Sequence, residues 1–155
     1  MSQLNPDFRD ILSAFNAAEV EYLLVGAYAM AAYGVPRATG DIDLWVRTSP
    51  ENSQRIMRAL VRFGGPTQSL SAADFENPDL VFQIGIAPHR IDILTVIDGL
   101  TFDDARSNAT VGRFDGIAVP VISRRDFITN KLAAGRPKDI ADAHTVEMEG
   151  DNPAE

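Results

Sequence analysis

Asp41 and Asp43 stand one residue apart in the run Asp41-Ile42-Asp43-Leu44-Trp45-Val46, downstream of the glycine turn Gly26-Ala27-Tyr28-Ala29. No other feature constrains the chain as much. The alternation reads as a strand, where residues i and i+2 project from one face. Both carboxylates therefore emerge side by side, while Ile42, Leu44 and Val46 face a core. Adjacent carboxylates repel, and burying even one without a partner is costly. A divalent cation is a common partner that makes such a pair tolerable.

A third acid fits the same pattern. Arg90-Ile91-Asp92-Ile93-Leu94 alternates, so Ile91 and Ile93 face one way and Asp92 the other. If this strand neighbours the first, Asp92 stands about 5 Å from it, the usual interstrand spacing. Three carboxylates at one spot are what two Mg²⁺ ions about 4 Å apart require. An Asp-x-Asp alone also suits a solvated sheet face; the glycine turn and the third strand acid weigh toward a shared site.

The remaining elements give that site a frame. Asn5-Pro6-Asp7 starts a helix carrying Phe8, Ile11, Leu12 and Phe15 at helical spacing. Tyr22 to Val25 is a short strand ending at Gly26, and Ala27 to Tyr33 a short helix closed by Gly34. Ser49-Pro50-Glu51 opens a helix with Ile56, Met57, Leu60, Val61 and Phe63 on its buried face, stopped at Gly64-Gly65. Residues 66–79 read as loop with a helical turn near Ala72-Ala73-Asp74. Leu80–Ile84 and Arg90–Val96 read as paired strands joined across Gly85–His89, and residues 98–109 are ambiguous. Asp115-Gly116 is a type I′ signal between the strands Val111–Phe114 and Ile117–Val119. Ser123 caps a helix over Arg125–Ala134, and a last helix runs from near Pro137 to Glu147. One domain is expected over residues 1–149, with a frayed tail at 150–155.

Composition narrows the function classes. A chain of 155 residues can build a real core, and 45% hydrophobic with 23% charged residues is ordinary for a water-soluble domain. No apolar run approaches the roughly 18 residues of a membrane span. Cysteine is absent, so there is neither a disulfide nor a thiolate metal site. With no basic and apolar leader pattern at the N-terminus, a cytoplasmic protein is expected. The net charge of −8 argues against broad phosphate-backbone binding, although Arg124, Arg125, Lys131, Arg136 and Lys138 cluster locally.

Gly26-Ala27-x-Ala29, Gly34 and Arg37-x-Thr39-x-Asp41-Ile42-Asp43-Leu44 resemble the signature of the nucleotidyltransferase superfamily with a DNA polymerase β-like core. The nearest resemblance is to the branch with AbiEii-type toxin nucleotidyltransferases, whose C-terminal motif is similar to Lys131…Arg136-x-Lys138-Asp139…Asp142. The resemblance covers roughly residues 20–145. It implies an α/β (α+β) fold, a small mixed, twisted sheet flanked by helices. It also implies a Mg²⁺- or Mn²⁺-dependent transfer of a nucleoside monophosphate from an NTP to a hydroxyl. The acceptor would be an RNA 3′ end such as that of tRNA, a protein or a small molecule, in a toxin–antitoxin setting.

Roles carry over residue by residue. Asp41 and Asp43 match the metal-binding pair, and Asp92 matches the third acid that helps to activate the attacking hydroxyl. Gly26 matches the first residue of a Gly-Gly or Gly-Ser turn that approaches the nucleotide phosphates, and Lys131 a phosphate-contacting lysine. Lys138 and Asp139 match the later motif. A glycine permits close phosphate approach, and the N–H groups of the following helix face an anion. Ala27 departs from the pattern: it keeps its N–H but lacks a hydroxyl for a phosphate.

Arg37 and Thr39 either contact the nucleotide or order the loop before Asp41. Trp45 shares the Asp41/Asp43 face by parity; it either stacks on a base or, the favoured reading, packs under the last helix. His89 and His144 are expected to be exposed, and their spacing does not suit zinc. With so small a core, a partner chain or a homodimer would complete the site. The alternative function is a nucleotide- or partner-binding module of the same fold without turnover.

Overall fold

A computed structural model describes residues 4–36, 40–86 and 89–149 of the chain. The helices are α1 (Pro6–Ala17), α2 (Ala27–Ala32), α3 (Pro50–Phe63), α4 (Phe102–Ser107), α5 (Arg124–Ala134) and α6 (Pro137–Glu149). The strands are β1 (Tyr22–Val25), β2 (Asp41–Val46), β3 (Val81–Ile86), β4 (His89–Leu94), β5 (Thr110–Phe114) and β6 (Ile117–Val121). A 3₁₀ turn spans Ala72–Glu76. The strands form one mixed sheet in the order β3-β4-β2-β1-β6-β5. β2 runs parallel to β4 and β1 parallel to β6, while the β1–β2, β3–β4 and β5–β6 pairs are antiparallel. This is the mixed sheet flanked by helices that the sequence leads one to expect.

Local chemistry sets the boundaries. The Asn5 side chain accepts from the Asp7 and Phe8 amides at 2.8 and 3.4 Å, capping α1, and Ser123 caps α5 by accepting from Asp126 N–H at 3.1 Å. Gly64 ends α3 in the left-handed region at φ +84°, where a Cβ would be strained. At the β5–β6 hairpin both Asp115 (φ +52°) and Gly116 (φ +80°) have positive φ, as a type I′ turn demands.

Both faces of the sheet centre are apolar, apart from the acid-bearing positions. Tyr22, Leu24, Ile42, Leu44, Val46, Ile91 and Ile93 are buried in a core shared with Phe8, Ile11, Leu12 and Phe15 of α1 and with Ile56 and Leu60 of α3. Leu23 pairs with Trp45 and Val25 with Asp43, so these share the opposite face with Asp41. Trp45 is buried, and its ring meets Phe102 of α4 edge-to-face at 5.2 Å. Packing rather than base stacking is thus its role, and its aromatic partner comes from α4, in the stretch left ambiguous by sequence. Among the described residues no helix is long and apolar enough to cross a membrane.

Two expectations need correction, and one ambiguous stretch takes a definite form. The β3–β4 pair is shifted to Val81–Ile86 and His89–Leu94, and it ends where the Thr95 hydroxyl accepts from Leu80 N–H at 2.8 Å. Residues 102–107 are helical because the Thr101 side chain accepts from Asp104 N–H at 3.3 Å and Phe102 and Ala105 offer a short apolar stripe. Val61 is 65% exposed rather than buried. It lies about 140° around α3 from Ile56, on the solvent side of the helix. Leu60→Ala is therefore expected to cost about 2–5 kcal/mol in urea denaturation, whereas Val61→Lys should stay within about 0.5 kcal/mol. Equal losses would refute this assignment of faces.

Candidate active site

Two parallel strands set four charged side chains on one face. Asp43 of β2 is the register partner of Asp92 of β4, and Asp41 is the partner of Arg90. The period of two places all four on the same side, in a two-by-two array. Asp41, Asp43 and Asp92 are thus brought together as their spacing suggests. Arg90 joins them, a residue given no role from sequence although it shares the parity of Asp92.

Arg90 binds the array from within. Its Nε donates to Asp92 Oδ1 at 2.8 Å, and its terminal nitrogen donates to Asp92 Oδ2 at 3.2 Å and to Asp41 Oδ2 at 3.1 Å. The side chains run from open to closed: Asp41 is 38% exposed, Arg90 31% and Asp92 10%. Asp41 marks the mouth and Asp92 the floor.

Asp43 shows the cost of this crowding. Burial above all, then the charge of Asp92, a hydrogen bond with Asp92 and the charge of Asp41, together push its carboxyl up to about 7 against the opposing Lys131 ammonium. Two carboxyl groups that face each other across a ladder are a donor set short of positive charge. The chemistry suits a hard divalent cation, which takes carboxylate oxygens. As they stand, no three His, Cys, Asp or Glu side chains among the described residues converge on a point that could hold a metal ion. Asp41 and Asp92 are instead turned to the Arg90 guanidinium.

Gly26 ends β1 beside Val25, the partner of Asp43, and has φ +74°. A Cβ there would overlap the Asp43 carboxylate. The glycine is therefore required first by the chain's own acid, whatever it later admits. Ala27 opens α2, with Gly26 as a cap that offers no side-chain hydrogen bond.

From the other side α5 supplies Lys131, whose side chain is only 13% exposed. Its Nζ lies 3.4 Å from Asp139 Oδ1 and 5.6 Å from the Phe127 ring centroid. Asp139, fully buried, also accepts from Arg136 at 2.6 and 3.2 Å. That hydrogen bonding, chiefly from Arg136, holds the Asp139 carboxyl below the usual carboxylate range. Lys131 is thus steered from behind by Asp139 while its charge is felt at Asp43. Lys138, next to Asp139 on α6, is exposed. Arg37 and Thr39 lie outside the described residues. His89 and His144 are exposed, and the His89 ring packs edge-on to Phe8 at 6.4 Å.

No family model matches the chain, and no curated protein matches it in sequence. Solved structures do match in fold. The chain is similar to a proposed nucleotidyltransferase from Thermotoga maritima, with TM-score 0.61 and 19% identity over 91% of this chain and 88% of that one. It is also similar to the antibiotic-resistance factor ANT(2″)-Ia, with TM-score 0.60 and 15% identity over 94% and 85%. A third match is the lincosamide antibiotic adenylyltransferase LnuA in its lincomycin-bound form, with TM-score 0.59 and 13% identity over 98% and 99%. At these identities the likeness establishes the architecture: the chain has the nucleotidyltransferase fold.

Two outcomes follow from the geometry. Gly26→Ala is expected to destabilise the protein by about 2–5 kcal/mol, through positive φ and overlap together. Asp43→Ala should reduce that loss in a double-mutant cycle, and strict additivity would show that the two residues do not collide. The second outcome concerns pH. Unfolded Asp43 releases its proton near 3.8 and folded Asp43 near 7, so the folded state holds the extra proton between them. Stability contributed by this group is full below the lower value and is lost as pH rises to the upper one. Thermal melts without metal should show that decline in wild type and a flatter profile in Asp43→Asn; an unchanged profile would contradict the assignment.

Proposed function

We propose that the protein is a divalent-metal-dependent nucleotidyltransferase, moving a nucleoside monophosphate from an NTP to a hydroxyl and releasing pyrophosphate. The observation that carries this reading is the register that sets Asp43 against Asp92, with Asp41 alongside and Gly26 at the end of β1, within a nucleotidyltransferase fold. Asp41, Asp43 and Asp92 would hold Mg²⁺ or Mn²⁺, which when bound neutralises phosphate charge and favours in-line displacement.

The chain's own groups do the rest. Asp92 accepts the proton of the acceptor hydroxyl as its oxygen bonds to the α-phosphorus. The bond from that phosphorus to the bridging oxygen breaks, and the electron pair leaves with pyrophosphate. Lys131, oriented by Asp139, places a fixed positive charge beside the phosphates. Gly26 and the Ala27 N–H approach the nucleotide, with Arg37, Thr39 and Lys138 as further contacts. Where a serine hydroxyl would donate to a phosphate, Ala27 forgoes about 1.5–3 kcal/mol.

The structural neighbours include enzymes of antibiotic adenylylation, such as LnuA bound to lincomycin and ANT(2″)-Ia with adenylyl-2″-tobramycin. A small hydroxyl compound is the acceptor class they support. The motif resemblance to AbiEii-type toxins supports instead an RNA 3′ end or a protein, within a toxin–antitoxin pair in the cytoplasm. Ala27 favours a second reading, nucleotide binding without turnover.

Thermal shift with each NTP, with and without Mg²⁺, tests the proposal. Wild type should be stabilised only by the two together, by about 2.7 kcal/mol at a hundred times the Kd. Asp41→Asn/Asp43→Asn should lose the effect. Release of pyrophosphate in the presence of an acceptor separates transfer from binding alone. No shift in wild type with any NTP would refute both readings.

A further inference from the structure

Resting on the metal site proposed above, we infer that Arg90 is a built-in counter-cation that holds Asp41 and Asp92 in the absence of a divalent ion and competes with that ion for them. The geometry is specific. One guanidinium spans two strands, bridging Asp92 on its own strand and Asp41 on the neighbour through three hydrogen bonds of 2.8–3.2 Å. It reaches the first carboxylate with two nitrogens and the second with one, a fork that an ammonium cannot reproduce.

Charge explains why such a group is needed. Three carboxylates crowd one face of two adjacent strands, and Lys131 supplies a single positive charge from across the site. Without Arg90, Asp41 and Asp92 would repel each other and Asp43 with no cation between them. With it, the two acids turn to the guanidinium, and no three acidic side chains among the described residues converge on one point. A divalent ion can gather them only by taking their oxygens from Arg90. The Arg90 side chain is 31% exposed and its guanidinium bridges the exposed Asp41 and the buried Asp92, so it has room to swing toward solvent or toward a bound polyphosphate.

A purely structural Arg90 would act differently, since its loss would loosen the acids and weaken metal binding. Mn²⁺ binding to the nucleotide-free protein, read by loss of the free-ion electron paramagnetic resonance signal, separates the two. Arg90→Gln should bind Mn²⁺ at least about tenfold tighter than wild type, because a like charge beside the ion is gone. It should also melt at a lower temperature without metal and gain more from Mn²⁺. Arg90→Lys, which keeps the charge without the fork, should bind more weakly than Arg90→Gln. Equal or weaker Mn²⁺ binding in Arg90→Gln overturns the inference. Wild type alone provides a second measurement: the Arg90 Nε–H resonance should leave its hydrogen-bonded position as Mg²⁺ saturates the site, and an unmoved resonance at saturation overturns the inference. If Mn²⁺ with NTP still binds normally in either negative case, the proposed function stands. Should Mn²⁺ with NTP bind to no form of the protein, the metal site itself is wrong.

Discussion

The parallel ladder between β2 and β4 places Asp43 directly opposite Asp92, and much of the molecule's polar architecture answers that repulsion. Burial and the acids around it raise the Asp43 carboxyl to about 7. Arg90 bridges Asp92 and Asp41. Gly26 has no side chain because the Asp43 carboxylate fills that space. Lys131 brings a positive charge from the helix layer and is held from behind by Asp139, itself bound by Arg136. Each feature compensates or accommodates the same negative cluster, which a fold selected for stability alone would not carry.

The apolar scaffold makes the cluster affordable. Ile42, Leu44, Val46, Ile91 and Ile93 are almost wholly buried on the face away from the acids. A one-residue slip of β2 against β4 would turn acids into the core, so hydrophobic burial itself fixes the register that sets Asp43 against Asp92. Trp45, two residues beyond Asp43, is buried against Phe102, sealing the far end of the acidic row.

Much of this is legible in the sequence, for local reasons. Parity along Asp41-Ile42-Asp43-Leu44 and Ile91-Asp92-Ile93 shows which faces the acids occupy, and the caps at Asn5 and Ser123 and the Asp115-Gly116 turn follow from backbone chemistry. What escapes is non-local. The pairing of Asp41 with Arg90 joins positions far apart in the chain, so nothing near Arg90 advertises it; the one available signal was that Arg90 lies two residues before Asp92. The Gly26–Asp43 contact is hidden likewise, since the glycine invites a ligand-based reading first. The short α4 escapes because two apolar residues, Phe102 and Ala105, make too brief a pattern. The motif marks Lys131, but its orientation by Asp139 depends on how α5 and α6 pack.

The central claim is that the Asp41, Asp43 and Asp92 carboxylates form one cation site at which nucleotide phosphates also bind. A crystal of the protein grown with Mn²⁺ and a non-hydrolysable NTP analogue addresses it most directly, through the anomalous signal of manganese. A peak is expected at coordinating distance from Asp41 and Asp43, with the analogue's phosphates lying between that peak and Lys131 and the Arg90 side chain turned from Asp41. An analogue bound elsewhere, or bound with Arg90 still bridging Asp41 and Asp92 and no manganese between the acids, would contradict it.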